Sequence, residues 1–377
     1  MHILITGGAG FIGSSLALAL IAQGHEVTVL DALSSQIHGP DGRQGSALFA
    51  RIDGKVRFLH GSITDAALWP QALEGQEAVV HLAAETGTGQ SMYEVHRYAD
   101  VNVGGTALLL QALAQPGHSV RRLLVASSRA LYGEGRYRAA DGSFVYPASR
   151  RAEDLERGRF ELYGPDGAAL ELVPTDENSR IHPTSVYGIT KQTQEQLVMT
   201  MGAALGVEPV ALRYQNVYGP GQSLSNPYTG ILSIFSTRIL HGRPIAVFED
   251  GLESRDFVYI DDVVRATTSA LFAPAAAGQV FGIGSGAATS VIEAARALLA
   301  KLGRTVPVDV TGAFRVGDIR HNLADLTLAR SLLGYAPQVD FGTGIEHFVQ
   351  WVLTQPLPND RYERSLNELR QRGLMRG

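Results

Sequence analysis

Residues 2–13 read His2-Ile3-Leu4-Ile5-Thr6-Gly7-Gly8-Ala9-Gly10-Phe11-Ile12-Gly13, and this stretch decides the fold. Its first five residues make a short apolar strand, glycines follow at 7, 10 and 13, and residues 14–22 form an apolar helical run stopped by Gly24. A tight strand-to-helix turn needs glycine where φ is positive, and a pyrophosphate close to the backbone leaves no space for a Cβ. The helix starting near Phe11 then offers unpaired N–H groups and the positive end of its dipole to phosphate. A glycine triplet alone is a weak signal, because a purely structural turn looks similar. Its position between a strand and a helix, at the start of an alternating segment, makes it a nucleotide cradle.

Working outward, residues 26–30, 56–60, 78–82 and 122–126 read as strands and 101–113 as a helix. Strands alternating with helices imply a parallel sheet covered on both faces, and the unbroken apolar run Leu123-Leu124-Val125-Ala126 fits burial on both sides. The expected class is α/β, a doubly wound parallel sheet with a smaller interleaved α/β lobe. Residues 1–180 form mainly the nucleotide-binding domain, with a charged, weakly periodic insertion at about 134–178. Residues 181–377 hold a long helix after Ser185, the last sheet elements and the smaller lobe, and 354–377 read as a surface helix or loose tail. No internal repeat is visible.

Composition narrows the classes of function. The 377 residues are 45% hydrophobic and 18% charged, enough for a large core and too few charges for a disordered chain. A net charge of −5 supplies no basic field for nucleic acid or an acidic membrane. There is no cysteine, hence no disulfide, thiolate nucleophile or Cys-ligated zinc, and the 11 histidines show no His-x-x-x-His spacing. No run of about 18 apolar residues exists, so no membrane span is expected. Residues 16–21 are apolar but lack a basic segment before them, so a secretory signal is not expected and a cytoplasmic location is.

Asp31 ends the second strand, 18 residues after Gly13. A carboxylate there accepts hydrogen bonds from both adenosine ribose hydroxyls and repels a 2′-phosphate, which favours NAD over NADP. The competing reading is a turn-capping aspartate.

The second constellation is Tyr187-Gly188-Ile189-Thr190-Lys191. Residues four apart share a helix face, so the phenol and the ammonium can reach one ligand, and a neighbouring cation favours the phenolate. With three lysines and 13 tyrosines, this spacing arises by chance about 0.1 times in the chain. Ser127 and Ser128 follow the fifth strand. Ligands of open α/β sheets bind at the carboxyl ends of strands, so one of these hydroxyls is expected beside Tyr187.

Together with His81-Leu82-Ala83-Ala84, Asn102 and the run Arg213-Tyr214-Gln215-Asn216-Val217-Tyr218-Gly219-Pro220, these motifs resemble the extended short-chain dehydrogenase/reductases. More narrowly, they resemble the NAD-dependent nucleotide-sugar epimerases and dehydratases. Arg255-Asp256-Phe257-Val258-Tyr259-Ile260-Asp261-Asp262-Val263 and Gly317-Asp318-Ile319-Arg320-His321 extend the likeness over most of residues 1–350. The resemblance implies a Rossmann-type fold, NAD as cofactor, a nucleotide-diphosphate sugar as substrate and a homodimer formed through the Tyr-bearing helix, whose Val198, Met199 and residues 201–205 are apolar. It implies Ser128, Tyr187 and Lys191 as the catalytic set. Gly7, Gly10, Phe11, Ile12, Gly13, Asp31, Ser62, Ile63, Leu82, Ala83, Ala84 and Asn102 would hold the cofactor, with Tyr187 and Lys191. Glu85, Thr88, Ser128, Arg129, Asn216, Arg255 and Arg320 would hold the substrate, the arginines as charge-assisted donors to the diphosphate. Ser62 replaces the acidic residue the family often has at the adenine.

The 4,6-dehydratases of the family carry an acidic pair directly after the active-site Ser/Thr. Arg129 and Ala130 stand there instead, so dehydration lacks its proton carriers. Residues 83–93, residues 127–135 and the long insertion are similar to bacterial dTDP-L-rhamnose 4-epimerases. That similarity implies C4 epimerisation through a 4-keto sugar. The alternatives are a UDP-hexose 4-epimerase, a 4-ketoreductase, or a non-catalytic NAD-binding sensor on the same fold.

Overall fold

In the first strand, β1 (His2–Thr6), Ile3 and Ile5 enter one apolar core and Leu4 enters another. Side chains alternate sides along a strand, so an unbroken apolar run is what a sheet covered on both faces requires. The computed structural model describes residues 1–226, 228 and 230–377. Six more strands join β1: β2 (Glu26–Asp31), β3 (Arg57–His60), β4 (Ala78–His81), β5 (Arg122–Ser128), β6 (Glu208–Tyr214) and β7 (Val280–Ile283). Their order is β7-β6-β5-β4-β1-β2-β3 with every neighbouring pair parallel, Ile5 standing between Val29 and Val80. The chain runs outward from β1 to β3 and resumes with β4 on the other side. This reversal opens a crevice at the carboxyl ends of the strands.

One face of the sheet is covered by α1 (Phe11–Ala22) and the other by α2 (Gly105–Leu113) and α3 (Val186–Ala204). The helix Ile260–Phe272, α4, packs on α1 and shares its core. The helix expected over 101–113 opens as a π-helical turn, Ala99–Gly104, that leads into α2. Val198 is fully buried against the sheet in the core under α2 and α3 and is therefore not on an outer face; Met199, Met201 and Leu205 pack partly buried beside it.

The second lobe grows out of β6. Asn216–Tyr218 pairs parallel with Ser254–Tyr259, which pairs antiparallel with Ala288–Ser290. Within the 134–178 insertion, Tyr137–Arg138 pairs antiparallel with Phe144–Val145 and with Glu171–Leu172. The C-terminal segment is not loose. Tyr362, Leu366 and Leu369 of α5 (Tyr362–Gln371) form a small core with Ala313 and Met375, and Met375–Arg376 pairs antiparallel with Phe314–Arg315. Apolar residues spaced four and three apart on one face of an otherwise polar helix supply the reason, since only docking buries them. Among the described residues no helix is long and apolar enough to cross a membrane.

Candidate active site

The carboxyl ends of β1, β2, β4, β5 and β6 open into a cavity of about 580 Å³, roofed by the second lobe. At the glycine turn each glycine answers a different constraint. Gly7 has φ +67°, and a Cβ there would lie 2.8 Å from Ala83 Cα; a Cβ on Gly13 would collide with the Gly7 carbonyl oxygen. At Gly10, the N-cap of α1, a Cβ would meet only the Gly7 carbonyl oxygen, at 3.2 Å, and no side chain caps the helix. The first N–H groups of α1, at Phe11 and Ile12, are therefore left for a ligand on the cavity side. A pyrophosphate fits this cradle.

Asp31 lines the same wall. Its Oδ2 accepts from Ala9 N at 3.0 Å and its Oδ1 from Leu33 N at 2.8 Å, which fixes the carboxylate while leaving lone pairs for ribose hydroxyls. Ser62, Ile63, Leu82, Ala83, Ala84, Glu85 and Thr88 also line the cavity. Asn102 does not. It is fully buried, where Oδ1 accepts from Glu85 N at 2.7 Å and Nδ2 donates to Glu85 O at 3.1 Å and Thr190 Oγ1 at 2.9 Å. Asn102 thus ties the loop after β4 to the Tyr-bearing helix and acts on the cavity only through these partners.

The catalytic candidates converge at the end of β5. Ser185 caps α3 by accepting from Gly188 N, and Ser91 Oγ accepts from Tyr187 N at 3.0 Å, so the start of the helix is held from two sides. Ser128, Tyr187 and Lys191 all line the cavity. Ser127 is engaged elsewhere: it donates to Glu195 at 2.6 Å, and Glu195 is held by Arg213 at 2.6 and 2.9 Å. Ser128 is the hydroxyl left for a substrate. Burial raises the Tyr187 phenol above its ordinary value, opposed by a hydrogen bond with Ser128 and by the charge of Arg129. The cation that favours the phenolate is thus Arg129, where the Tyr-x-x-x-Lys spacing had pointed to Lys191. Burial draws Lys191 down to about 7, and its Nζ donates to Ala126 O at 2.8 Å.

Beyond the catalytic group, the second lobe adds charge. Arg255 donates to the carbonyls of Ser254 at 2.8 Å, Arg320 at 3.0 Å and Ile319 at 3.0 Å, with no carboxylate among its bonded partners. Burial and Arg255 lower Arg129 to about 10, against the pull of Asp318, so it stays protonated at neutral pH. Two cations that repel each other across a cavity suit a dianion such as a diphosphate. Asn216 lines this end too.

Arg320 lies outside the cavity. Fully buried, it binds Glu161, Asp250 and Glu249, and so joins the insertion to the second lobe. Gly317, at φ +84°, turns the chain so that Asp318 faces the cavity and pairs with Arg315 at 2.7 Å. Of the Gly317–His321 motif the structure thus brings Asp318 to the cavity wall, and not Arg320, which the sequence had offered for the diphosphate. Sequence reasoning missed Arg315, Glu253, Tyr228 and Tyr362, which also line the cavity; Arg315 and Glu253 each stand two residues before a quoted motif, whereas Tyr228 and Tyr362 carried no such signal.

Comparisons with known proteins agree with this geometry. The family model described as the NAD dependent epimerase/dehydratase family matches residues 3–152 and 160–284. A dTDP-L-rhamnose 4-epimerase of Burkholderia thailandensis is 41% identical over 353 residues, covering 93% of this chain and 94% of its own length. The UDP-glucose 4-epimerase of Thermotoga maritima, solved with UDP-glucose, superposes with a TM-score of 0.76 at 31% identity, covering 94% of this chain and 99% of that one. The UDP-glucose 4-epimerase of Thermus thermophilus, solved with NAD, has a TM-score of 0.74 at 27% identity, with 94% and 100% covered. Matched over most of its length, the chain belongs to the NAD-dependent epimerase/dehydratase family of α/β enzymes.

Proposed function

We propose that the protein inverts C4 of a nucleotide-diphosphate sugar through a transient 4-keto intermediate, and that the sugar is dTDP-L-rhamnose, converted to dTDP-6-deoxy-L-talose. The observation that carries the reaction class is the convergence of Ser128, Tyr187 and Lys191 beside the glycine cradle, with Arg129 and Ala130 where a dehydratase needs acids. The Burkholderia likeness supports the sugar.

NAD, when bound, would supply reversible hydride transfer, so that the reaction needs no net oxidant. Tyr187, as phenolate, accepts the proton of the C4 hydroxyl and gives it back to the epimer. Ser128 hydrogen-bonds the C4 oxygen, and together with Arg129 it stabilises the phenolate. Lys191, anchored on Ala126 O, lines the cavity with Tyr187 and would help hold the cofactor there. Arg129 and Arg255 bind the diphosphate, leaving the sugar free to turn and present its other face. Gly7, Gly10, Phe11, Ile12, Gly13, Asp31 and Ser62 hold the cofactor in this assignment.

A UDP-hexose substrate is the second reading, favoured by the Thermotoga likeness. Proton NMR of the sugar after incubation with dTDP-L-rhamnose or, separately, UDP-glucose, without added cofactor, tests both. A new C4 epimer of the first alone is expected; conversion of UDP-glucose alone would overturn the sugar assignment, and conversion of neither would overturn the reaction. The reading includes a cytoplasmic homodimer. Val95 and Ile189, 49% and 51% exposed on two helices that pack together, support the dimer, and sedimentation checks it.

A further inference from the structure

Two glutamines pair across the crevice, and the catalytic reading leaves them without a task. Gln36 lies in the loop after β2 and Gln90 in the loop after β4. Gln36 Nε2 donates to Gln90 Oε1 at 3.1 Å, and Gln90 Nε2 donates to Gln36 Oε1 at 3.1 Å. Two neighbours of matching polarity fix the Gln90 amide in this orientation. The Tyr98 hydroxyl donates to its Oε1 at 3.3 Å, and Glu94 Oε1 accepts from its Nε2 at 3.2 Å. Gln90 is buried, so water competes little for the pair.

Sheet order decides where this bridge runs. β2 and β4 lie on either side of β1, so a bond between the loops that follow them passes across the carboxyl end of β1. The glycine turn leaves β1 at that point, and Gln36, Ile37 and residues 86–88 line the cavity together with Gly7, Gly10 and Gly13. The segment 34–37 is tethered at both ends, by Leu33 in the main core and by His38, bonded to Ser46 at 2.6 Å. Among the described residues, no other side-chain hydrogen bond joins 34–37 to another part of the chain. On the far side Ser91, next to Gln90, accepts from Tyr187 N. One short helix, Thr88–Ser91, therefore ties the bridge to the start of the catalytic helix.

We propose that Gln36 and Gln90 form a strap over bound NAD that retains the cofactor between the two halves of the reaction. A dinucleotide seated on the glycine turn and Asp31 then leaves only when the amide pair opens. The reaction has no net oxidant, so oxidation and reduction of one sugar must use the same cofactor molecule. A cofactor lost between them leaves a keto sugar and an empty site. Gln36 and Gln90 are positioning residues in this assignment. The inference rests on the C4-epimerisation reading for its purpose, though its test needs no sugar.

The test is exchange of bound NAD against excess isotopically labelled NAD, read by mass spectrometry of the protein-bound nucleotide. It compares wild type, Q36M, Q90M and the double variant, since methionine is close to glutamine in length and cannot make its bonds. Q36M is expected to release NAD about tenfold faster than wild type, as loss of two hydrogen bonds implies. The double variant should be within about twofold of the faster single variant, because either substitution breaks the same pair. Turnover of Q36M should decay during an assay without added NAD and return when NAD is supplied. If Q90M does not fold, hydrogen exchange of Q36M decides instead. A strap loosens 34–37 and 88–91 together, whereas a contact made by Gln36 alone loosens only the first. A Q36M that holds NAD as long as wild type, additive effects in the double variant, or exchange raised only at 34–37 overturns the strap. A wild type that loses NAD on desalting overturns both the strap and the self-contained epimerase. Slow exchange that depends on the pair, with no sugar converted, supports the strap and overturns the epimerase reading alone.

Discussion

Around the glycine turn the cavity wall is shaped by atoms that are missing: Gly7 and Gly13 have no space for a Cβ, and Gly10 leaves α1 uncapped. On the opposite side it is shaped by charge, with Arg129, Arg255, Arg315 and Asp318 packed within one electrostatic neighbourhood. The first wall comes from residues 7–84 and is held by backbone contacts between neighbouring strand ends. The second draws on residues from Ser128 to Tyr362, carried by four sheets and a C-terminal helix. A wall of close backbone contacts tolerates almost no change, so it suits the part of the reaction that stays constant. Side chains on separate elements can be exchanged one at a time, which suits the part that selects a substrate.

The hardest test of this contrast lies where the walls meet. Tyr187→Phe should lower kcat about 10²- to 10⁴-fold while bound NAD and dTDP affinity hold, measured by NMR turnover and by NAD released on denaturation. Retained turnover would remove Tyr187 from the chemistry. Next, Gly13→Ala should cost about 3 kcal/mol of stability and empty the cofactor site, because the added methyl meets backbone rather than a movable side chain. A lowered Tm together with sub-stoichiometric NAD would show it, and a fully loaded, stable variant would break the first half of the comparison.

The charged wall should answer differently. Arg129→Leu is expected to raise KM about tenfold or more with NAD content unchanged, as loss of a charge-assisted contact implies, and to move the Tyr187 limb of the pH profile upward because a charge that favours the phenolate is gone. Steady-state kinetics with parallel NAD assays separate this from misfolding. The smallest effect is in pH. Burial favours the protonated phenol of Tyr187, so kcat/KM should rise with pH as the phenolate forms. Ser128 opposes that burial, so Ser128→Ala should move this limb to higher pH by about one unit or less, besides lowering its height. A limb shifted downward would contradict the assigned hydrogen bond.

Much of the cofactor wall was legible in the sequence, and less of the substrate wall. The glycine spacing and the end of β2 impose local backbone geometry, and a strand-turn-helix satisfies its constraints within some thirty residues. Asn102 lies next to this region in the fold, yet its two partners, Glu85 and Thr190, are reached only after the π-helical turn packs on α3. For the tail the sequence left a surface helix or a loose segment open for a similar reason, since Tyr362, Leu366 and Leu369 become a core only when Ala313 and Met375 arrive from elsewhere.

By itself, then, the sequence determined the doubly wound sheet, the nucleotide cradle and the Tyr187–Lys191 pair, all consequences of strand period, helix period and glycine's missing side chain. Tertiary structure alone decided that Asp318 rather than Arg320 faces the cavity, that Ser127 is bound by Glu195 while Ser128 is left for substrate, and that Glu253 Oε2 is buried without a hydrogen-bond partner among the described residues. Those outcomes turn on which side chains meet across long loops. Charge and burial depend on neighbours distant in sequence, and no local period encodes them.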